Sequence, residues 1–367
     1  MTYLLVFGLT SVLAVFLFIF CVRPHLAAIL ISLILASFAA LRGSDVASDF
    51  VVYQDWYLSR DLGNGFLERP GLFEAVYFQL NDYFAASGTP FRVFIWFLAF
   101  IAVLMKTSVI VSFAKSGWSV GISVLIYVFT FYLLHEFTQI RAGLAIAFIF
   151  LAVRSLVSGN RTHFSLFVLL ATGFHSSALM AFLLLLPHRG AIARWIDWGL
   201  FVVTGGVILL VMSGMDIGTA LVNMLTMFDP RVTLYTSLAE SGQSEAANSF
   251  PVSAMLLLAL ALSLTGLEFN RPLVNPLEEP DVHIIILVRR SILIGVGCLV
   301  SLSVIPELAL RLFEFNIVLV PIIAAIFFSR SGWLLQKGLL LLWTSAIAYV
   351  FIFRDEGLVQ PYVLFFY

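Results

Sequence analysis

HEFTQIRAG, residues 135–143, is a polar stretch that lies between two long apolar runs. It places His135, Glu136, Gln139 and Arg141 where the surrounding sequence is suited to lipid. Polar and charged side chains are costly at such a position and are usually kept there for binding, transport or catalysis. The stretch therefore predicts a membrane-embedded fold with a functional site, and Arg141 is the first candidate for that site.

The composition predicts the class of protein. Hydrophobic residues make up 61% of the chain and charged residues only 11%, which is typical of a helical protein with many membrane spans. The apolar runs are close to the ~20 residues that a spanning helix needs, whereas an outer-membrane barrel would show short alternating strands. A net charge of −1 excludes the basic surface of a nucleic-acid-binding protein. Cys21 and Cys298 lie in apolar runs without the spacing of metal ligands.

We expect an all-α polytopic membrane protein with about ten full spans, forming one transmembrane domain over residues 1–367. Apolar windows place the spans at 3–22, 26–41, 91–113, 118–134, 140–157, 198–213, 252–267, 284–305, 308–328 and 338–353. The apolar run 164–186 is interrupted by the sequence GFHSS at 173–177. This interruption predicts either one broken helix or two short helices.

Lys and Arg are more frequent in the connections on one side of the membrane, which the positive-inside rule makes the cytoplasmic side. The N-terminus then faces outward. The run 164–186 becomes a hairpin that enters from the inside, because a single crossing would move Arg189 and Arg194 to the outer face. Residues 42–90 form a large first outer loop, whose many aromatic residues favour folding against the membrane. Residues 214–250 form a second outer loop, which we expect to be mobile.

Among the arginines expected on the outer side, Arg141 and Arg311 are the candidate pair for binding. A guanidinium stays charged and offers a planar fork of donors, so such a pair suits a lipid-linked phosphate or diphosphate. The alternative is that each arginine is an interfacial anchor or is neutralised by a neighbouring acid. Glu136 lies five residues before Arg141, while Glu307 and Glu314 lie at helical spacing from Arg311.

Transfer of a glycosyl or acyl group to a hydroxyl needs a base, and two residues are candidates. Asp49 lies four residues before Tyr53, so both share one face if the segment is helical. His175 lies at the interruption of run 164–186, where helix ends leave backbone groups for a ligand. A packed His175 satisfied by a backbone carbonyl is the alternative. The P-loop, the G-x-S-x-G elbow and H-E-x-x-H are absent from the sequence, and we expect neither a metal nor a cofactor.

An ordered set of motifs runs through most of the chain: R-G-S-D at 42–45, D-x-x-x-Y at 49–53, P-G at 70–71, Q-I-R-A-G-L-A at 139–145, F-H-S-S-A-L at 174–179, and Arg311. In this order the motifs resemble the EpsG family of Wzy-type polysaccharide polymerases. Residues 196–302 contribute little to the resemblance. The main departure is Arg69 directly before Pro70, where the family often has a glutamate, and this leaves open whether Glu68 takes over that role.

The resemblance implies a GT-C-like multi-helix bundle and an inverting glycosyltransferase. Such an enzyme polymerises polyprenyl-diphosphate-linked oligosaccharide repeat units, which serve as donor and acceptor, for O-antigen or exopolysaccharide. It would act in the bacterial inner membrane, with its active site facing the periplasm or outer leaflet. Membrane lipid and a chain-length-regulating co-polymerase become candidate partners, and no nucleic acid is expected.

The same resemblance implies roles for individual residues. Arg141 and Arg311, with Gln139 nearby, would hold the departing diphosphate and stabilise its charge. Asp49 would be the leading general base for the acceptor hydroxyl, with His175 as competitor or orienting partner. Side chains of the first outer loop would contact the sugars: Tyr53, Trp56, Tyr57 and Glu68.

Two other classes of protein share this composition. A flippase or transporter would bind the anionic lipid-linked oligosaccharide at a buried arginine and a broken helix without changing it. A membrane acyltransferase that modifies the polysaccharide would favour a catalytic histidine near the membrane. A transporter leaves the length of its substrate unchanged, whereas a polymerase yields a ladder of products.

Overall fold

A computed structural model describes most of the chain: residues 23–44, 46–58, 74–188, 190–215, 217–226, 251–269, 279–330 and 332–349, with isolated positions before 23 and between 233 and 237. Within these ranges the secondary structure is helical and includes no β-strand, which confirms the all-α class. The chain divides into two compact units, which are described separately. They are Met1–Leu179 with Pro321–Lys337 and Thr344–Tyr367, and Met180–Val320 with Gly338–Trp343. The single domain over 1–367 stays a prediction.

Helices of the first unit carry most of the predicted site residues. They are α1 Pro24–Ala40, α2 Ser48–Leu58, α3 Ala75–Ala86, α4 Phe91–Phe113, α5 Gly117–Tyr127, a π-helix Val128–Thr138, α6 Ile140–Val157 and α7 Arg161–Thr172. Local sequence signals set several helix starts. Pro24 occupies the first turn of α1, where its missing N–H needs no partner. Ser116 and Ser119 form a capping box before α5, and the side chain of Asn160 caps α7.

The π-helix continues α5 through His135 and Glu136 and ends at Thr138. The sequence predicts a span that stops at residue 134, but the helix extends further because the polar side chains that follow are buried inside the first unit. Gln139 then leaves helical geometry, with φ −93° and ψ 65°, before α6 begins. π-Helical turns are rare and occur frequently at functional sites.

Side-chain hydrogen bonds to backbone carbonyls tie α1 to its neighbours in the first unit. Arg92 of α4 donates from Nη1 to the carbonyl oxygens of Ala40 at 2.7 Å and Arg42 at 2.6 Å. The hydroxyl of Tyr132, in the π-helix, donates to the carbonyl oxygen of Leu35 at 2.6 Å. These contacts satisfy polar groups that would otherwise be costly in an apolar interior.

Helix α11 lies at the centre of the second unit and contacts α8, α10 and α12. The helices are α8 Gly190–Met212, α9 Ile217–Leu225, α10 Val252–Phe269, α11 Glu279–Ser301 and α12 Pro306–Ile317. Arg289 and Arg290 of α11 both reach the carboxylate of Asp197 on α8, at 2.6 Å each. Arg290 is fully buried and also donates to the carbonyl oxygens of Leu186 at 3.1 Å and Pro187 at 2.8 Å. These bonds hold α8 against α11.

The remaining helices are a 3₁₀-helix Ser176–Leu185, α13 Val320–Phe328 and α14 Leu334–Tyr349. Six of the described helical segments are long and apolar enough to cross a membrane: Phe91–Phe113, Gly117–Thr138, Ile140–Val157, Gly190–Met212, Asp281–Ser301 and Leu308–Phe328. Four apolar helices are shorter: Pro24–Ala40, Ser176–Leu185, Val252–Thr265 and Leu334–Tyr349. The chain is therefore a multi-pass membrane protein.

The expected number of about ten spans stays a prediction. Span 3–22 falls largely outside the described residues, and three other expected spans coincide with shorter helices. Run 164–186 does divide into two short helices, at residues 173–175. Residues 42–90, predicted as the first outer loop, include α2 and α3, while residues 59–73 lie outside the description. Of the second loop, 214–250, mainly α9 is described.

Candidate functional site

Arg141 lies in the first turn of α6, directly after the junction that Gln139 makes with the π-helix. The N–H of Gln139 donates to the carbonyl oxygen of Leu134 at 2.8 Å, and its own carbonyl accepts from the N–H of Gly143 at 2.9 Å. The side chain of Arg141 is 18% exposed. Arg141 therefore combines a largely buried position with an opening to the surface.

Glu74 is the ionic partner of Arg141. Its Oε2 lies 2.6 Å from Nη1 of Arg141, and its side chain is 6% exposed. The alternative raised from the sequence, neutralisation of Arg141 by Glu136, is wrong because the carboxylate of Glu136 pairs with Lys106 instead. Sequence reasoning missed Glu74, since the two partners are 67 residues apart and no local spacing connects them.

Three aromatic rings surround the guanidinium of Arg141. Its Cζ lies 4.8 Å from the ring centre of Trp56 and 5.7 Å from those of Tyr53 and Tyr77. Cation–π contacts of this kind stabilise a charge that is partly removed from water. Burial, together with the nearby Tyr53, raises the pKa of Tyr77 well above its usual range, so its phenol stays protonated and can donate a hydrogen bond.

Two polar atoms in this arrangement are buried with no hydrogen-bond partner among the described residues. They are Nε of Arg141 and the hydroxyl oxygen of Tyr77. Buried donors without a partner are costly and are rare in folded proteins. Both groups are donors, so the arrangement is suited to a ligand that carries acceptor oxygens.

The break between α7 and the 3₁₀-helix is docked onto the start of α3. The N–H of Glu74 donates to the carbonyl oxygen of Thr172 at 3.2 Å, and the N–H groups of Val76 and Tyr77 donate to that of Gly173 at 3.0 and 3.2 Å. A Cβ at Gly173 would collide with the side chain of Val76. A glycine at the break therefore permits this close approach.

His175 follows the break and is half-buried. Its Nδ1 accepts from the N–H of Ser177 at 3.3 Å, and the neighbouring N–H of Ser176 donates to Oε1 of Glu74 at 3.5 Å. The structure thus brings the His175 segment and Arg141 to opposite oxygens of one carboxylate. The role of His175 as a base stays a prediction.

Asp49 and Tyr53 both lie on α2, one turn apart. The segment is therefore helical, as the sequence argument required for Asp49 and Tyr53 to share one face. Asp49 is half-buried in the first turn, whereas Tyr53 is buried and contacts Arg141 as described above. The catalytic role of Asp49 stays a prediction.

The other predicted sugar contacts differ in position. Trp56 is half-buried. Tyr57 is buried, donates from its hydroxyl to the carbonyl oxygen of Thr89 at 2.6 Å, and packs against Phe94. Glu68 lies outside the described residues. All three assignments stay predictions.

Arg311 lies on α12 of the second unit and is half-buried. Glu314 lies in the next turn, and the side chain of Glu307 lies outside the description. Two statements about Arg311 stay predictions: that it binds one diphosphate together with Arg141, and that Glu307 and Glu314 neutralise it. Among the described residues, no group of three or more His, Cys, Asp or Glu side chains could hold a metal ion.

The other half of the polar stretch makes a separate, sealed ion pair. Glu136 contacts the ammonium of Lys106 on α4, and their side chains are 0% and 1% exposed. The ring of Tyr127 lies 5.5 Å from that ammonium. His135 is also buried and stacks on Phe131 at 5.6 Å. The sequence places Lys106 inside the apolar run 91–113, where no local spacing indicates Glu136 as its partner.

The comparisons with known proteins identify the family. The model of the EpsG family matches residues 25–364, nearly the whole chain. This chain belongs to the EpsG family. EpsG family members are Wzy-type polymerase-like, so the chain is a polysaccharide polymerase-like membrane protein. No curated protein and no solved structure matches it.

Gly143 has a clear packing reason in this EpsG-family protein. A Cβ at this position would lie 2.9 Å from the carbonyl oxygen of His135 and 3.3 Å from Oε1 of Glu136. Contacts of that length force a neighbour to move. Gly143 thus lets α6 approach the end of the π-helix.

Proposed function

We propose that this EpsG-family protein is an inverting, GT-C-like glycosyltransferase that polymerises polyprenyl-diphosphate-linked oligosaccharide repeat units at the outer face of the bacterial inner membrane. The observation that carries the proposal is the position of Arg141. Its guanidinium lies at the start of a membrane-spanning helix, partly exposed and ringed by aromatic side chains. A lipid-linked diphosphate joins an anion to an apolar chain, and such a position suits both.

The proposed reaction joins two repeat units. A hydroxyl oxygen of the acceptor attacks the anomeric carbon of the donor from the face opposite the diphosphate. The bond from that carbon to the phosphate oxygen breaks, and the polyprenyl diphosphate leaves with the electron pair. Arg141 stabilises the charge that develops on this leaving group, and Arg311 and Gln139 are proposed as further contacts.

The proton of the attacking hydroxyl passes to a base. Asp49 is the leading candidate because it lies one turn from Tyr53, which contacts Arg141. His175 is the competitor, since its neighbour Ser176 donates to the carboxylate that binds Arg141. Either residue needs only to accept the proton as the new glycosidic bond forms.

Aromatic side chains of α2 are proposed to stack on the sugars of the substrate. Trp56 is the first to test, because it is half-buried and next to Arg141. Tyr53 and Tyr57 are buried and are proposed to support the same surface. Glu68 is proposed as an acidic contact to a sugar hydroxyl.

A reconstitution assay tests the proposal. Purified protein in liposomes is given a synthetic polyprenyl-diphosphate-linked repeat unit, and the products are separated by size. We expect a ladder of products. Asp49→Asn should lower the rate about 10²–10⁴-fold if Asp49 is the base, and His175→Ala should lower it less. Unchanged rates in both variants would rule out both candidates.

The same assay separates the polymerase from a transporter. A transporter would move the lipid-linked substrate between leaflets and leave its length unchanged. Transfer of an acyl group would also leave the number of repeat units unchanged. Either result, with folded protein, would contradict the proposed function.

A further inference from the structure

Glu74 has no part in the proposed reaction, although it contacts Arg141 directly. The geometry points to Glu74 as a positioning residue, which holds the Arg141 guanidinium by Nη1 and leaves its Nε edge for an oxygen of the substrate's diphosphate. The inference rests on the proposed function, because it takes a lipid-linked diphosphate as the ligand of Arg141. Under this inference, Glu74 orients the guanidinium of Arg141 toward the diphosphate leaving group.

The hydrogen bonds of the guanidinium support this division. Glu74 binds Nη1 at 2.6 Å, while Nε is buried with no hydrogen-bond partner among the described residues. The hydroxyl of Tyr77 is also buried with no hydrogen-bond partner among the described residues. The ring centre of Tyr77 lies 5.7 Å from Cζ of Arg141. A phosphate group offers only acceptors, so its oxygens can satisfy both N–H and O–H donors.

The backbone of Glu74 is held in a conformation that non-glycine residues rarely adopt. Its φ is +72°, in the left-handed region. The surrounding hydrogen bonds, from Glu74 to Thr172 and from Val76 and Tyr77 to Gly173, maintain this conformation. Such strain persists only when neighbouring structure enforces it, and it is concentrated at functional sites.

These backbone bonds do not involve the carboxylate. A change of the Glu74 side chain therefore keeps these three backbone bonds to the break and removes only the contact of the carboxylate with the N–H of Ser176. The carboxylate itself bonds Arg141 through Oε2 and the N–H of Ser176 through Oε1. Its removal frees the guanidinium to rotate, whereas an amide oxygen at the same distance can still accept from Nη1.

An opposite role for Glu74 gives the opposite result. If its carboxylate competed with the diphosphate for Arg141, its loss would strengthen the binding of the diphosphate. If it positions the guanidinium, its loss weakens binding, and glutamine restores it. The two roles are therefore distinguished by whether loss of the carboxylate raises or lowers the affinity for the diphosphate.

Binding of farnesyl diphosphate to the purified full-length protein tests the inference. Calorimetry in detergent would follow the wild type and the variants Glu74→Ala and Glu74→Gln. We expect alanine to weaken binding about tenfold, the effect of losing one charge-assisted hydrogen bond. Glutamine should stay within about threefold of the wild type, since it keeps the acceptor for Nη1.

Control variants make the result specific. Asp82→Asn removes a charge from the same helix, α3, and should bind like the wild type. Arg141→Ala should lose binding of the probe. If Glu74→Ala does not give monodisperse protein, Glu74→Asp replaces it, because its shorter side chain no longer reaches Nη1 and should also weaken binding.

Unchanged or tighter binding in Glu74→Ala, or equal weakening in the alanine and glutamine variants, would overturn the positioning role. Unchanged binding in Arg141→Ala would also overturn it. Failure of the proposed function is a different result: the wild type would bind farnesyl diphosphate and form no ladder from lipid-linked repeat units. A ladder from the wild type with equal rates in all Glu74 variants would overturn the inference alone.

Discussion

Two ion pairs flank the same polar stretch, and they differ in their access to the surface. Lys106 and Glu136 join α4 to the π-helix, with side chains 1% and 0% exposed. Arg141 and Glu74 join the start of α6 to the residue before α3, with side chains 18% and 6% exposed. The first pair is sealed among membrane spans, whereas the second lies beside three aromatic rings and a helix break.

The difference teaches that one polar stretch can serve two purposes. A pair that neither solvent nor substrate reaches can only orient the helices that carry it, because its charges are already matched. A pair that keeps an opening to the surface is suited to bind a ligand. The exposure separates the two pairs, because Oε2 of Glu136 and Nε of Arg141 both have no hydrogen-bond partner among the described residues. We therefore assign packing to the sealed pair and binding to the accessible one.

The largest expected effect comes from breaking the sealed pair. Lys106→Met leaves the carboxylate of Glu136 buried without its partner, and breaking a buried ion pair costs about 3–5 kcal/mol. We expect a much lower midpoint of thermal unfolding in detergent, or failure to accumulate folded protein.

The double variant Lys106→Met/Glu136→Leu is the matched control. Apolar replacements of similar volume are often neutral for a buried pair, so the double variant should recover most of the lost stability. If Lys106→Met alone were as stable as the wild type, this result would contradict the buried, solvent-excluded position of the pair.

A smaller loss of stability is expected at the close contact between Gly143 of α6 and the end of the π-helix. Gly143→Ala brings a Cβ to within 2.9 Å of the carbonyl oxygen of His135, and overpacking of this kind costs about 1–3 kcal/mol. Thermal unfolding would show the loss. Gly199→Ala on α8 is the control, because a Cβ added there would meet no described atom within 4 Å apart from its chain neighbours and the backbone of its own helix. Equal unfolding temperatures for the two variants would argue against the close contact.

Much of the fold could be predicted from the sequence, because lipid imposes a simple pattern on a spanning helix. The spans expected at 91–113 and 140–157 agree with Phe91–Phe113 and Ile140–Val157, since each is a continuous apolar run bounded by polar residues. The interruption at Gly173 was also visible, because glycine and polar residues inside an apolar run mark a break.

The ionic partners could not be predicted, because they depend on which helices become neighbours. Glu136 is close to Arg141 in sequence, but it pairs with Lys106, 30 residues away. Glu74 reaches Arg141 only because α3 docks on the break after α7. The end of the π-helix was missed for the same reason: His135 and Glu136 are compatible with a span once partners are buried with them.

The smallest expected effect concerns the aromatic surroundings of the accessible pair. Trp56→Leu removes a cation–π contact with Arg141, worth about 0.5–1 kcal/mol at an exposed site. We expect a two- to fivefold lower affinity for farnesyl diphosphate, the equivalent of about that energy, with an unchanged unfolding temperature.

Trp118→Leu is the matched control for this change, since Trp118 is exposed at the start of α5 and should bind the probe like the wild type. An equal loss of affinity in both variants would show that the ring of Trp56 contributes nothing specific to Arg141.

One measurement tests the division between the two pairs most directly: the rate of ladder formation from lipid-linked repeat units by Arg141→Ala and by Lys106→Met/Glu136→Leu, each compared with the wild type at equal amounts of folded protein. We expect Arg141→Ala to be about 10²–10³-fold slower, as when one group that stabilises transition-state charge is removed. The double variant should keep a rate close to that of the wild type. A full rate in Arg141→Ala, or loss of the ladder in a folded double variant, would contradict the assignment of binding to Arg141 and packing to Lys106 and Glu136.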